Sequence, residues 1–177
     1  MIVTERLILR PAEPRDRAAL HAMWADARVM ADLGPVKDEA ASDAAIARHA
    51  GYRTEHGLGF GTVERRDSGD LIGFCGLKPG APTTPIRGEL EIGWMLAHAA
   101  WGQGYAQEAA AAWLDWAWSH RDEPRVVAIT AAANAASQRL MMRLGMHRLA
   151  AGDFDHPDFA ADDARRATVT YAIDRPR

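Results

Sequence analysis

The segment that most constrains the fold is a predicted strand that passes through a glycine turn into an alanine-rich helix. Residues 89–96 alternate in the manner of a strand, and an alanine-rich run with three tryptophans follows over residues 105–119. Gly102 and Gly104 stand directly before that run. Glycine lets a backbone approach a ligand closely, and the first amides of a helix lack partners inside it. Residues 101–109 therefore indicate a helix N-terminus that binds an anion, most often phosphate.

Strand alternation sorts the side chains of residues 89–96 onto two faces. One face carries Leu90, Ile92, Trp94 and Leu96, and the other carries Glu89, Glu91, Gly93 and Met95. A strand with two carboxylates on one face therefore leads into the predicted phosphate site. Because residues 101–109 include no Lys or Arg, we expect backbone amides to hold the anion.

The remaining elements are predicted from periodicity and from turn residues. A short opening strand surrounds Leu7 and Leu9, and the other predicted elements are helices over 14–30, 42–56 and 135–144 and strands over 59–66, 71–77, 125–130, 146–151 and 167–173. Three prolines and two glycines over residues 78–88 indicate a loop, and residues 153–163 form an acidic one. This order predicts one α/β (α+β) domain over residues 1–177, with a mixed, mainly antiparallel sheet of about seven strands flanked by about four helices.

Several short motifs carry a resemblance to a known family. Residues 101–106 match the pattern Gln/Arg-x-x-Gly-x-Gly/Ala except at Trp101. The other motifs are Asn134 with Ser137, Leu144-Gly145-Met146, the opening residues 4–10, and Phe154 to Pro157. In order and spacing the chain is similar to the GNAT superfamily of acyl-CoA-dependent N-acyltransferases. It most resembles the branch that includes the ribosomal-protein N-terminal (alanine/serine) acetyltransferases, in which tryptophan also occupies the position of Trp101.

The resemblance implies a GNAT fold and acetyl-CoA as the co-substrate, with no metal. It places the diphosphate on the amides of residues 102–107 and the pantetheine arm along the strand and on Asn134. The implied cofactor-binding residues are Met95, Leu96, Ala97, Trp101, Gly102, Gln103, Gly104, Tyr105, Ala106, Gln107, Asn134 and Ser137. An amine would attack the thioester directly in a ternary complex, and a strand amide would polarise the thioester carbonyl as in an oxyanion hole.

The catalytic residues are predicted from side-chain chemistry on those elements. Glu91 is the first candidate for the general base and Glu89 the second, because a buried carboxylate can remove a proton from an amine, directly or through water. Both glutamates could equally be surface charges. Ser137 is preferred over Tyr171 as the acid that protonates the departing thiolate. Asn134 and Ser137 also suit the N-cap and N3 positions of a helix.

Composition narrows the class of protein. The net charge of −3 argues against a general nucleic-acid binder, and a single cysteine excludes an internal disulfide. The sequence has no apolar run of membrane-spanning length and no signal-peptide core, so we expect a cytoplasmic protein without membrane partners. The seven histidines lack metal-ligand spacing. A homodimer is expected from the resemblance alone.

Two alternatives remain at this stage. Gly102 and Gly104 after a strand are also compatible with a Rossmann-type nucleotide-binding domain, although the third glycine of that motif is missing. A GNAT-like module could also bind CoA without catalysis, as a sensor or scaffold.

The expected acceptor is a primary amine, either a protein N-terminal α-amine or a small-molecule amine such as a polyamine. The absence of an unmistakable base slightly favours an α-amine, which is easier to deprotonate.

Overall fold

The computed structural model describes residues 1–176, and its strands form one open mixed sheet. The strands are β1 Ile2–Val3, β2 Leu7–Arg10, β3 Gly61–Arg65, β4 Leu71–Pro79, β5 Leu90–Leu96, β6 Arg125–Ala131, β7 His147–Arg148, β8 Phe154–Asp155 and β9 Ala167–Asp174. Their order across the sheet is β1-β2-β3-β4-β5-β6-β9-β7, and β8 also pairs with β9. Five α-helices cover this sheet: α1 Arg17–Ala25, α2 Ala27–Met30, α3 Glu39–His56, α4 Tyr105–His120 and α5 Ala135–Arg143.

The fold class agrees with the sequence-based prediction, whereas the element counts differ for local reasons. The predicted helix over residues 14–30 is broken at Asp26, whose backbone is extended and whose carboxylate accepts a hydrogen bond from the Arg28 amide at 2.9 Å. The break separates α1 from α2. The predicted strand over residues 146–151 is present as the two-residue strand β7. The two additional strands, β1 and β8, have two residues each, too few to produce a periodic signal.

The strands β5 and β6 form the one parallel pair within residues 1–176 and separate after two residues. Leu90 pairs with Val126 and Glu91 with Val127, and no further pairs follow. The rest of β5 is paired with β4 alone. Because the other neighbouring strands are antiparallel, the Rossmann alternative, which requires parallel crossovers, is wrong.

The two faces of the sheet are covered by different helices. Leu90 and Ile92 of β5 pack in a core with Ala110 and Leu114 of α4. Met95 points to the opposite face, into a core formed with α1 and α3. The predicted alternation of β5 is therefore present, and burial of each such large apolar side chain contributes about 1.5–3 kcal/mol.

Helix α4 lies close to the sheet because small side chains face it. Ala109, Ala110 and Ala117 are fully buried, so the helix backbone approaches the strands without bulky residues between them. The helix begins after Gly104, whose φ is 82°, and ends at His120. Its N-terminus is thereby held beside the place where β5 leaves β6. Among the described residues, no helix combines the length and apolarity needed to cross a bilayer.

Candidate active site

A cleft of about 600 Å³ opens where β5 and β6 separate. Its walls come from the last residues of β5, the first turns of α4 and α5, and α2 with the turn that follows it. Ten of the twelve predicted cofactor-binding residues line it: Met95, Leu96, Trp101, Gly102, Gly104, Tyr105, Ala106, Gln107, Asn134 and Ser137. Residues from three separate sequence motifs thus meet in one cleft, and their roles in cofactor binding stay predictions.

The turn before α4 exposes unpartnered backbone amides to this cleft. Gly102 and Gly104 have φ values of 74° and 82°, in the left-handed region that non-glycine residues rarely adopt. Gly104 is the N-cap of α4 and provides no side-chain cap. The first amides of α4 therefore remain free, and the helix dipole adds positive potential to them. This geometry suits an anion such as a diphosphate.

The edge of β5 forms the second wall. The Ala97 amide donates to the Ile72 carbonyl on β4 at 2.9 Å. Backbone groups alternate in direction along an antiparallel pair, so the amides of Trp94 and Leu96 point away from β4 toward the gap. The Leu96 carbonyl accepts a hydrogen bond from the Trp101 indole at 2.9 Å. Trp94 and Leu96 therefore offer free N–H groups along the cleft.

Two predicted cofactor-binding residues do not line the cleft. The Ala97 amide donates to β4, and Ala97 packs against the core formed with α1 and α3. The side chain of Gln103 donates to the Ala99 carbonyl at 2.9 Å and lies exposed. The strand alternation and the local turn direct both residues away from the cleft, and their cofactor-binding roles stay predictions. Trp94, which the sequence placed only as an apolar strand residue, lines the cleft instead.

The start of α5 brings two polar side chains to the opposite wall. The Asn134 side-chain oxygen accepts a hydrogen bond from the Ser137 amide at 3.0 Å, which makes Asn134 the N-cap. The Ser137 hydroxyl oxygen accepts from the Trp94 indole nitrogen at 3.3 Å. The Tyr171 hydroxyl donates to Gln138 at 3.2 Å, and Tyr171 is buried away from the cleft lining. Of the two candidate acids, Ser137 is therefore the one that reaches the cleft.

Glu91 lies at the point where the two strands part. It is the last residue of β5 paired with β6, and its side chain is 9% exposed. Its carboxylate forms an ion pair with Lys78, its cross-strand neighbour on β4. Burial raises the pKa of Glu91 above its ordinary value, and the positive charges of Lys78 and His156 oppose this effect. Glu91 does not line the cleft itself.

Glu89 has a different environment from the one predicted. It precedes β5 rather than belonging to it. One of its carboxylate oxygens accepts from Arg125 Nε at 3.1 Å, and the other pairs with an Arg125 terminal nitrogen. Both oxygens are thus engaged by one guanidinium, and Glu89 is absent from the cleft lining. Glu91 is the better placed of the two carboxylates.

Sequence reasoning missed the basic side chains of the cleft. Arg28 on α2 and Arg143 at the end of α5 both line it, although segment 101–109 has no cation of its own. Arg143 donates to Gln107 at 3.1 Å. The sequence motifs of β5 and of the glycine turn do not predict Arg28 or Arg143, because α2 and α5 approach the cleft only through tertiary packing.

The acidic loop is largely neutralised by arginines. Asp153 pairs with Arg148 at 2.5 Å, Asp163 with Arg165 at 2.5 Å, and Asp155 with Arg166 at 3.2 Å. Across residues 1–176, no group of three or more His, Cys, Asp or Glu side chains is arranged to hold a metal ion. The loop therefore presents alternating charges rather than one acidic surface.

Comparison with known proteins identifies the family. Residues 6–147 match the acetyltransferase (GNAT) domain family. The chain is 33% identical over 147 residues to YkkB of Bacillus subtilis, a protein described as uncharacterised, covering 82% of this chain and 84% of that one. It also superimposes on an acetyltransferase of the GNAT family from Bacillus anthracis, with a TM-score of 0.80, 25% identity and 98% coverage of both chains.

The fold is also shared with an N-terminal acetyltransferase. RimL, described as a ribosomal L7/L12 alpha-N-protein acetyltransferase in complex with coenzyme A, superimposes with a TM-score of 0.78. The identity is 18%, and the match covers 97% of this chain and 96% of RimL. The sequence motifs, the splayed strands and the family match agree: this chain belongs to the acetyltransferase (GNAT) family.

Proposed function

We propose that this protein transfers the acetyl group of acetyl-CoA to a primary amine, with a peptide or protein N-terminal α-amine as the favoured acceptor class. The observation that carries the proposal is the cleft in which the free amides of α4 adjoin the unpaired edge of β5. An anion site next to an exposed strand edge suits a ligand that combines a diphosphate with an amide-containing arm. Coenzyme A has both parts.

The cofactor would bind by two kinds of contact. The amides from Gly102 to Gln107 would hold the diphosphate, and Arg143 would add positive charge nearby, whereas the guanidinium of Arg28 is already paired with Asp26 at 2.6 Å. The pantetheine amides would pair with the outward N–H groups of Trp94 and Leu96 and with the outward C=O of Trp94. One of those N–H groups would then polarise the thioester carbonyl, because a preorganised donor stabilises the oxyanion of a tetrahedral intermediate.

Glu91 would act as the general base through water. Glu91 lies where β5 and β6 separate, outside the cleft lining. A water molecule would therefore carry the proton from the amine to the carboxylate of Glu91. Its raised pKa makes it a better proton acceptor than an ordinary carboxylate. The α-amine of a peptide has a pKa near ~8 and is neutral about a tenth of the time at neutral pH. A lysine amine near ~10.4 would require about 3 kcal/mol more, and a distant base therefore favours an α-amine.

Ser137 would return a proton to the sulfur. Its hydroxyl lies on the cleft wall at the start of α5, with its oxygen already accepting from Trp94. A hydroxyl has one proton to donate and two lone pairs, so that proton remains available for the thiolate. Collapse of the tetrahedral intermediate would break the carbon–sulfur bond, form the amide and release coenzyme A as the thiol.

The second candidate is a module that binds CoA without catalysis. This alternative is favoured by the position of Glu91 outside the cleft lining. Glu89, the other carboxylate at the strand junction, is also outside the lining and is paired with Arg125. In that case acetyl-CoA would bind, and no acceptor would accelerate the release of thiol.

The test is thiol release from acetyl-CoA with a panel of acceptors. The panel contains lysine-free peptides with N-terminal alanine, serine or threonine. It also contains peptides that are acetylated at the N-terminus and carry one internal lysine, and it contains spermidine. We expect turnover with free α-amines and little with the blocked peptides. Preference for spermidine or for lysine would reject the α-amine assignment. Calorimetric binding of acetyl-CoA with no turnover on any acceptor would support the scaffold alternative.

A further inference from the structure

The opening motif over residues 4–10 is joined to the first turn of α4 by a set of hydrogen bonds. One carboxylate oxygen of Glu108 accepts from the Thr4 hydroxyl at 2.6 Å and from the Arg6 amide at 2.8 Å. The other oxygen accepts from Arg6 Nε at 2.7 Å. Two segments about a hundred residues apart in sequence thus meet behind the turn that precedes α4.

The same arginine also holds the glycine turn. Its Nη1 donates to the Gln103 carbonyl at 3.0 Å, and its guanidinium lies over the Tyr105 ring, 4.5 Å from the centroid. A Cβ added to Gly104 would lie 3.4 Å from Arg6 Nη2. Arg6 therefore touches the residues on both sides of Gly104, from the side of the turn away from the cleft.

This contact fixes the direction of an amide in the anion site. In a trans peptide the C=O of one residue and the N–H of the next point in opposite directions. When Arg6 holds the Gln103 carbonyl, the N–H of Gly104 must point away from Arg6. Gly104 lines the cleft and Arg6 does not, so this N–H is turned to the cleft side.

Glu108 in turn holds Arg6 and is itself neutralised. Burial acts to raise the pKa of Glu108, but hydrogen bonds from Thr4 and Arg6 outweigh burial and keep it below its ordinary value. A lone carboxylate in the first turn of α4 would repel a bound diphosphate. The guanidinium of Arg6 cancels that charge and is aligned by it at the same time.

We propose that Arg6 is a positioning residue that presets the Gln103–Gly104 peptide for the diphosphate of coenzyme A, with Glu108 as its anchor. The inference rests on the proposed function in requiring that the cleft binds coenzyme A. It predicts an effect confined to the diphosphate end of the cofactor, since Arg6 contacts neither β5 nor α5.

The test compares two acetyl donors, acetyl-CoA and S-acetylpantetheine, which lacks the diphosphate. In Arg6→Met we expect the Kd for CoA to rise about tenfold or more, as for loss of a charge-assisted contact. The fall in kcat/KM should be several-fold larger with acetyl-CoA than with S-acetylpantetheine. Arg6→Lys should restore little, because a single ammonium cannot bridge Glu108 and Gln103 as a guanidinium does.

A matched control and a second variant separate positioning from folding. Arg17 is a similarly exposed arginine that pairs with Asp43 at 2.7 Å between α1 and α3, and Arg17→Met should leave both donors unaffected. The double variant Arg6→Met with Glu108→Gln removes the unpaired carboxylate. It should regain thermal stability while keeping the donor-specific defect.

Two results would overturn the inference and are distinguishable from failure of the proposed function. Equal losses with both donors, or an unchanged Kd for CoA, would reduce Arg6 to a structural role while the wild type still turns over acetyl-CoA. A wild-type protein that neither binds CoA nor releases thiol would instead remove the proposed function, and this inference with it.

Discussion

The indole nitrogen of Trp94 donates to the hydroxyl oxygen of Ser137 at 3.3 Å, which joins the free edge of β5 to the first turn of α5. The two residues come from the walls between which the thioester would lie. The bond occupies a lone pair of the serine and leaves its proton to another acceptor. Ser137 is thereby oriented as a donor before any ligand binds.

The first prediction concerns this pair. Ser137→Ala should lower kcat roughly ten- to a hundredfold, at or below the lower end of the usual loss for a general acid, because a thiolate is a comparatively good leaving group. Trp94→Phe should lower kcat less and should add nothing in the Ser137→Ala background. Steady-state thiol release measures both. Ser119→Ala, an exposed serine on α4, is the control, and equal kcat for Ser137→Ala and wild type would remove Ser137 from the mechanism.

The second prediction concerns the pH dependence of Glu91. The proposed mechanism requires the carboxylate, and burial raises its pKa, so kcat should fall as pH drops through a value above the ordinary range of glutamate. Lys78 opposes this rise, so Lys78→Met should move the acidic limb to still higher pH. Glu91→Gln should lower kcat and abolish the limb. A limb that persists unchanged in Glu91→Gln, measured at saturating acceptor, would assign it to another group.

The third prediction concerns stability and His49. Burial, aided by Arg48, Lys78 and Arg53, lowers the pKa of His49 to about 3, and its Nδ1 accepts from the Phe60 amide at 3.2 Å. The unfolded chain binds the proton from pH 6.5 downward, whereas the folded chain resists it. The contribution of neutral His49 to the free energy of unfolding should therefore be fully present above pH 6.5 and should decrease as the pH falls toward 3.

Urea unfolding at two pH values measures this effect. Between pH 7.5 and pH 5 we expect His49 to account for a loss of about 2 kcal/mol in the free energy of unfolding. His49→Gln should show a shallower pH dependence than wild type, even if it is less stable overall. His147→Gln, an exposed residue on β7, serves as the control. Parallel pH dependences of wild type and His49→Gln would contradict the prediction.

The fourth prediction concerns a buried ion-pair cluster beside β2. The Arg10 guanidinium binds both carboxylate oxygens of Asp16, at 2.7 and 2.8 Å, and Glu64 at 2.7 Å. Asp16→Ala would leave this buried cation partly unpaired, at a cost of about 3–5 kcal/mol in the free energy of unfolding. Asp67→Ala breaks an exposed pair with Arg65 and should cost under about 1 kcal/mol. Similar costs for the two variants in urea unfolding would be inconsistent with the burial of Arg10.

The fifth prediction separates backbone strain from cofactor binding. Gly57, at the end of α3, and Gly104 both have left-handed φ values, 70° and 82°. Alanine at either position should lower stability by about 1 kcal/mol or more. Only Gly104→Ala should also weaken CoA binding, because only Gly104 lines the cleft. Calorimetry with CoA distinguishes the two variants. Equal CoA affinities of Gly104→Ala and Gly57→Ala would argue against the glycine turn as the diphosphate site.

The sequence by itself determined the local features of this protein. The alternation of β5, the glycines before α4 and the Asn134 cap are properties of neighbouring residues, and they led to the fold class and to ten of the cleft residues. The short strands β1 and β8 and the break at Asp26 were missed, because they are stabilised by contacts rather than by periodicity.

The tertiary structure decided which groups share the cleft and in which state. Pairing with β4 turns the Ala97 amide away and exposes those of Trp94 and Leu96, and packing brings Arg28 and Arg143 to the cleft. The different partners of Glu89 and Glu91 likewise follow from strand register. Alternation in a sequence fixes the side on which a residue lies, whereas burial, ion pairing and free hydrogen-bonding groups depend on neighbours that only the folded chain supplies.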